Sequence, residues 1–153
     1  MTEKKIAIGC DDAAIEMKDN LKQYLIELGY HVDDFGVKKE DSTHYPDIAY
    51  QLATSVRDKN QDLGILCCGT GIGMAITANK VHGIRAAQAH DTYSAQRARK
   101  SNDAHIVTLG ARVIGIELAK EIALAFVTSD FEPQRSGPKV ERISHYENLE
   151  QRS

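Results

Sequence analysis

No stretch of this 153-residue sequence is long and apolar enough to cross a membrane. Its start, Met1-Thr2-Glu3-Lys4-Lys5, is polar and leads into only a short apolar run, which is not the pattern of a secretory signal. Charge of one sign never gathers into a block, and the formal net charge is −3, so nothing points to nucleic acid or an anionic membrane surface. Cysteine is scarce. There are three, two of them adjacent at 67 and 68, too few for a disulfide framework. A reduced, cytoplasmic setting is expected. The six histidines, at 31, 44, 82, 90, 105 and 145, are scattered, and no Cys/His spacing resembles a zinc site. No metal or cofactor is expected. A nucleotide P-loop is missing too, since no G-x-x-x-x-G-K-[ST] occurs. Repeats, linkers and low-complexity segments are likewise absent.

What is present is concentrated in Ile65-Leu66-Cys67-Cys68-Gly69-Thr70-Gly71-Ile72-Gly73-Met74. An apolar run ends in a cysteine, and a loop of alternate glycines leads into Ala75-Ile76-Thr77-Ala78-Asn79-Lys80, which reads as a helix. A strand–glycine turn–helix junction presents backbone N–H groups and the positive end of a helix dipole, a setting that suits an anion. Cys68 and Thr70 place a thiol and a hydroxyl at its rim. A plain βα turn of any parallel sheet has the same outline, and G-x-G-x-G alone does not mark a dinucleotide site.

The rest of the chain alternates strand and helix. Lys5 to Cys10 reads as a buried strand, with Asp11-Asp12 as a cap for a helix that Gly29 closes. His31 to Gly36 is a shorter strand, and a polar loop follows from Val37 to His44. Pro46 suits the first turn of a helix running to about Val56. Leu63 to Cys68 is continuously apolar, as a strand covered on both faces must be. A helix to about Lys80, a strand over Gly83 to Ala89, a helix over Thr92 to Lys100, a strand over His105 to Gly110 and a helix over Ile116 to Thr128 come next. From Ser129 onward the chain is polar, with a glycine–proline turn and a terminal helix expected from Lys139. The order predicts an α/β fold, a single-domain Rossmann-like doubly wound parallel sheet of five strands flanked by helices. Binding is expected at the carboxyl ends of the strands, in the loops holding Cys10-Asp11-Asp12, Cys68-Gly69-Thr70, His90-Asp91 and Gly110-Ala111-Arg112.

Ile8-Gly9-Cys10-Asp11, Cys68-Gly69-Thr70-Gly71-Ile72-Gly73, Ala78-Asn79-Lys80, Gly83-Ile84-Arg85-Ala86, Tyr93-Ser94-Ala95, Ser101-Asn102-Asp103-Ala104 and Gly110-Ala111-Arg112-Val113-Ile114-Gly115 occur in order. As a set they resemble the ribose-5-phosphate isomerase B family, which includes the galactose-6-phosphate isomerase subunits. The resemblance implies a metal-free aldose–ketose isomerase of a small phosphorylated sugar, working through a cis-enediolate as a homodimer or tetramer. It implies Cys68 as the base and Thr70 as the proton-carrying hydroxyl. Such a reaction needs both, along with donors for the developing oxyanion, a role that falls to the amides of Gly69 to Gly73. A thiolate is favoured by a helix N-terminus. Asp11, Tyr45 and Asn102 are implied as holders of sugar hydroxyls. Arg112, Arg135 and Lys139 are implied as phosphate-binding cations, some supplied across the dimer by the segment 129–153. Lys139 stands where the family usually has arginine and lacks the bidentate fork. A non-catalytic partner subunit, or a binding module for phosphorylated sugars, is the alternative. Without the resemblance, Cys67 and Cys10 read as packed core thiols, Arg85 and Lys80 as surface ion-pair residues, and Tyr45 as a hydrophobic staple.

Two positions depart from the pentose enzymes. Asp12 stands where they typically carry a histidine near the phosphate, and Ser101 where they carry the histidine that opens the furanose ring. A tetrose 4-phosphate has its phosphate on the oxygen that would close that ring and needs no opening. Ala89-His90-Asp91-Thr92-Tyr93-Ser94, Ser101-Asn102 and Arg135-Ser136-Gly137 resemble the branch of the family that interconverts erythrose 4-phosphate and erythrulose 4-phosphate. The competing expectation is that His90 takes over ring opening and pentose activity survives.

Overall fold

Five short apolar runs separated by amphipathic stretches build five parallel strands joined by helices, in a computed structural model that describes residues 4–37 and 44–151. Residues 38–43 of the expected polar loop lie outside the described residues. The elements are β1 (Lys5–Cys10), a 3-10 turn (Asp12–Ala14), α1 (Ile15–Glu27), β2 (His31–Asp34), α2 (Tyr45–Arg57), β3 (Leu63–Cys68), α3 (Ile72–Asn79), β4 (Ala86–Gln88), α4 (Thr92–Lys100), β5 (Ile106–Gly110), α5 (Ile116–Val127) and α6 (Pro133–Glu150). The sheet order is β2-β1-β3-β5-β4, and every pairing is parallel. On one face α5 packs between α1 and α4, and on the other α2 packs against α3. The central strand β3 is covered on both faces and buried along its whole length. Ile6, Ile8, Leu52, Leu66, Ile106 and Phe126 fill the core around it.

Local chemistry sets the boundaries. Gly29, at φ 98°, takes the left-handed conformation that ends α1. Pro46 sits in the first turn of α2. The Asp91 carboxylate accepts the Ser94 N–H at 2.6 Å and caps α4. Because all five strands run the same way, Cys10, Cys68, Gln88 and Gly110 end at one edge of the sheet. The chain reverses direction across the sheet between β1 and β3, which opens a crevice at that edge. No helix among the described residues is long and apolar enough to cross a membrane.

Two expectations change. β4 is shorter than Gly83 to Ala89, because Gly83 turns at φ 86° and the Arg85 N–H goes to the His105 ring rather than to a strand. The glycine–proline pair does not make a turn: α6 starts at Pro133 and runs through Gly137 and Pro138. Proline restricts the residue before it through that residue's Cβ, and Gly137 has none, so the helix passes with one backbone bond missing.

Candidate active site

β3 delivers Cys68 to the glycine loop while strand alternation turns Cys67 to the opposite side. Their surroundings differ accordingly. Burial pushes the Cys67 thiol well up, and burial raises Cys10 to about 11. Both are fully enclosed, whereas Cys68 retains 6% exposure at the rim of the loop. Its Sγ accepts the N–H of Gly71 at 3.0 Å. Two residues on, the Thr70 Oγ1 accepts the N–H of Ile72 at 3.2 Å, leaving its own proton free to donate. The two side chains therefore take two of the loop's N–H groups. Those of Gly69, Thr70 and Gly73 have no acceptor among the described residues, so donor capacity remains in the loop beside the α3 N-terminus.

Gly71 is needed for geometry. Its φ is 81°, and a Cβ there would stand 3.0 Å from the Leu109 backbone. Gly73 makes room for the Tyr45 ring, which occupies the space a side chain would need. That contact brings Tyr45 from α2 to the first turn of α3. From β5, Arg112 donates its N–H to the Gly69 carbonyl at 3.0 Å, and its exposed guanidinium lies along Gly69. From β1, Asp11 caps the 3-10 turn through the Ala13 N–H at 3.0 Å. Burial raises Asp11 above the usual carboxylate value, against the pull of that N–H and of the Arg112 charge. Asp12 is exposed beside it. His90, following β4, accepts the Gly110 N–H at Nε2 at 2.9 Å, which leaves the proton of a neutral ring on Nδ1. Asp11, Tyr45, Cys68, Thr70, His90 and Arg112 thus share one edge.

Ser101, Asn102, Arg135 and Lys139 do not join them within the chain. Ser101 and Asn102 follow α4 and precede β5, so they lie at the opposite, amino-terminal edge of the sheet. β5 alone separates the two edges by about 13 Å. The Ser101 Oγ accepts Arg97 Nε at 2.8 Å, and the Asn102 carbonyl accepts Arg85 Nε at 3.1 Å. The start of α6 is tied to the same edge, since the Glu132 N–H reaches the Lys100 carbonyl at 3.1 Å. Arg135 and Lys139 project, exposed, from the turns that follow, and neither makes an ion pair among the described residues. The expected site residues are therefore split between two edges.

Two residues at the first edge were not singled out by the sequence. Gln88 Nε2 donates to the Thr70 carbonyl at 2.7 Å, and Thr108 Oγ1 donates to the Gly71 carbonyl at 2.7 Å. They are register partners on β4 and β5. The one available signal was a hydroxyl in the middle of the wholly buried strand β5, since a buried polar group requires a partner.

Residues 6–143 match the family described as Ribose/Galactose Isomerase. The D-erythrulose-4-phosphate isomerase of Pectobacterium atrosepticum is 56% identical over 146 residues, covering 95% of this chain and 96% of that protein. The Ribose-5-P isomerase B of Listeria innocua is 55% identical over 137 residues, 90% of this chain and 93% of that one. The solved ribose-5-phosphate isomerase B of Clostridium thermocellum superposes with a TM-score of 0.92 at 39% identity, covering 96% of this chain and 99% of that chain. Such a fold carrying such a loop defines an aldose–ketose isomerase of phosphorylated sugars. The chain belongs to the ribose/galactose isomerase family.

Proposed function

We propose that the chain interconverts D-erythrose 4-phosphate and D-erythrulose 4-phosphate. The Cys68 thiolate takes the C2 proton of the aldose, giving a cis-enediolate, and returns it to C1. Thr70 carries the hydroxyl proton from O2 to O1. The uncommitted N–H groups of Gly69, Thr70 and Gly73 meet the oxyanion. Asp11 and Tyr45 hold hydroxyls, and Arg112 faces the phosphate. Asp12, a carboxylate beside the position a pentose phosphate would take, is better tolerated by a shorter substrate with its phosphate displaced.

The observation that carries the four-carbon reading is Ser101. It stands where a ring-opening imidazole is expected, and its hydroxyl oxygen is engaged by Arg97. His90 is a poor replacement, because its Nε2 lone pair is already committed to the Gly110 N–H. The identity to the Pectobacterium isomerase supports the same substrate, and the nearly equal identity to the Listeria protein makes ribose 5-phosphate the competitor. The test compares kcat/KM for the two sugars. Erythrose 4-phosphate is expected to lead by about a hundredfold or more, the lower end of what general acid–base catalysis supplies. Ser101→His should raise pentose turnover alone. A wild type that prefers ribose 5-phosphate and loses that activity in His90→Ala sinks the reading.

The functional unit in this proposal is a homodimer. A second copy, turned by a two-fold axis, would bring its Ser101, Asn102, Arg135 and Lys139 to the Cys68 edge of the first, and receive the same in return. Exposed apolar side chains on α3 (Ile72, Ile76), α4 (Tyr93) and α6 (Ile143, Tyr146, Leu149) support an interface, the last three on the segment 129–153 assigned to the partner.

A further inference from the structure

The two side chains that would do the chemistry are each held by a peptide group, and each of those peptide groups is held from behind. The peptide between Thr70 and Gly71 donates its N–H to Cys68 Sγ and receives Gln88 Nε2 at its carbonyl. The next peptide, between Gly71 and Ile72, donates its N–H to Thr70 Oγ1 and receives Thr108 Oγ1 at its carbonyl. In a trans peptide the C=O and N–H point in opposite directions. A donor that fixes the carbonyl therefore aims the N–H. We propose that Gln88 and Thr108 are positioning residues: Gln88 acts through one peptide on the Cys68 thiolate, and Thr108 acts through the next on the Thr70 hydroxyl.

The physical argument has two parts. Occupying the carbonyl of an amide polarises it and strengthens its N–H as a donor, so each pair of bonds supports the other. A hydrogen bond from an N–H to the charged form of a thiol favours that form. The loop also needs such tethers. Gly71 sits at φ 81° and has little conformational restraint of its own. With both carbonyls tied to adjacent strands at one register position, the loop's two aimed N–H groups inherit the rigidity of the sheet.

This inference rests on Cys68 and Thr70 being the reacting groups, and its test separates the two ideas. Gln88→Met removes the donor from an exposed position and leaves the core untouched. Thr108→Val removes the buried hydroxyl, and Thr108→Ser keeps it. Turnover of erythrose 4-phosphate is measured for all three beside Cys68→Ala, together with the rate at which iodoacetamide alkylates Cys68 at pH 7 without substrate. Gln88→Met is expected to lower kcat about tenfold while KM stays within threefold, and to slow alkylation severalfold. Thr108→Val is expected to lower kcat by a similar factor with alkylation unchanged, and Thr108→Ser to return it to within twofold of wild type. If Gln88→Met and Thr108→Val both turn over within twofold of wild type while Cys68→Ala is inactive, the positioning roles are wrong. If Thr108→Ser falls as far as Thr108→Val, Thr108 acts through packing and its role is wrong. Activity retained in Cys68→Ala would remove the assignment of the base. The alkylation rate of Gln88→Met then decides the inference for Gln88 by itself, an unchanged rate overturning it.

Discussion

The His105 ring accepts the Arg85 N–H at Nδ1, 3.0 Å away, and the Arg85 side chain pairs with Asp103, which also pairs with Arg99 of α4. Burial, and then the Arg85 charge, lower His105 from 6.5 to about 4. A proton on Nδ1 would also face the N–H that now points at it. The native ring therefore stays neutral across the interval from pH 6.5 to pH 4, while the unfolded ring takes up a proton. The stability involved is fully present above pH 6.5 and is lost as pH falls toward 4. At 1.36 kcal/mol per pH unit of displacement the loss reaches about 3 kcal/mol. Urea unfolding at pH 7 and pH 4.5 checks this. His105→Asn, which keeps an acceptor near Nδ1 and cannot titrate, should lose clearly less stability between the two pH values than wild type. Equal losses would show that other groups govern the acid limit.

The glycine loop and β5 form a tight joint at the scale of elements. A Cβ on Gly110 would stand 2.7 Å from the backbone of Thr70, with no flexible atom to give way. Gly110→Ala should push the loop off the strand. Overpacking of this kind costs about 1–3 kcal/mol, or a fall of roughly 5 °C in the midpoint of thermal unfolding for a chain of this size, and kcat should fall with it. Gly115 is the control: a Cβ there meets nothing within 4 Å, so Gly115→Ala should leave the midpoint and turnover nearly unchanged. The joint bears on what could be read from the residues alone. β1 and β3 were legible, because Ile6–Cys10 and Leu63–Cys68 are runs without a charged residue; α4 was legible over Thr92–Lys100, and its Asp91 cap was not foreseen. Cys68 and Thr70 were legible because they border the glycines. The tethers Gln88 and Thr108 were not, since they depend on the parallel register of β4 on β5 and on the direction of two loop carbonyls. The course of α6 through Pro138 was hidden for another reason: its permissiveness lies in the missing side chain of Gly137, and the pair reads locally as a turn.

At the scale of the whole molecule, the division of the expected site between two edges makes a prediction that no single chain can satisfy. Cys68→Ala lacks the proposed base at one edge, and Arg135→Ala lacks a proposed phosphate-binding cation at the other. Each is expected to be nearly inactive alone. Mixed after dissociation, they should recover about a quarter of wild-type activity, because half of the randomly formed dimers carry one intact site of two. Ile76→Glu, in which a charge enters an exposed apolar patch, should yield monomers by sedimentation and little turnover. An active Ile76→Glu monomer, or mixtures no better than their parts, would mean that each chain completes its own site.

Strand alternation at Cys67 and Cys68 also governs how the protein meets oxidants. A sulfenate is rescued when a second thiol condenses with it, and otherwise it climbs to products that thiols do not reverse. Cys67 is the neighbour in sequence but faces the far side of β3. Cys10 is enclosed, with its sulfur turned to the Val37 carbonyl at 3.7 Å. While the sheet stands, neither can reach round to Cys68. The rim thiol therefore meets peroxide without a resolving partner on its own strand, and if Cys68 is the base proposed above, a single over-oxidised sulfur is expected to end turnover at that loop.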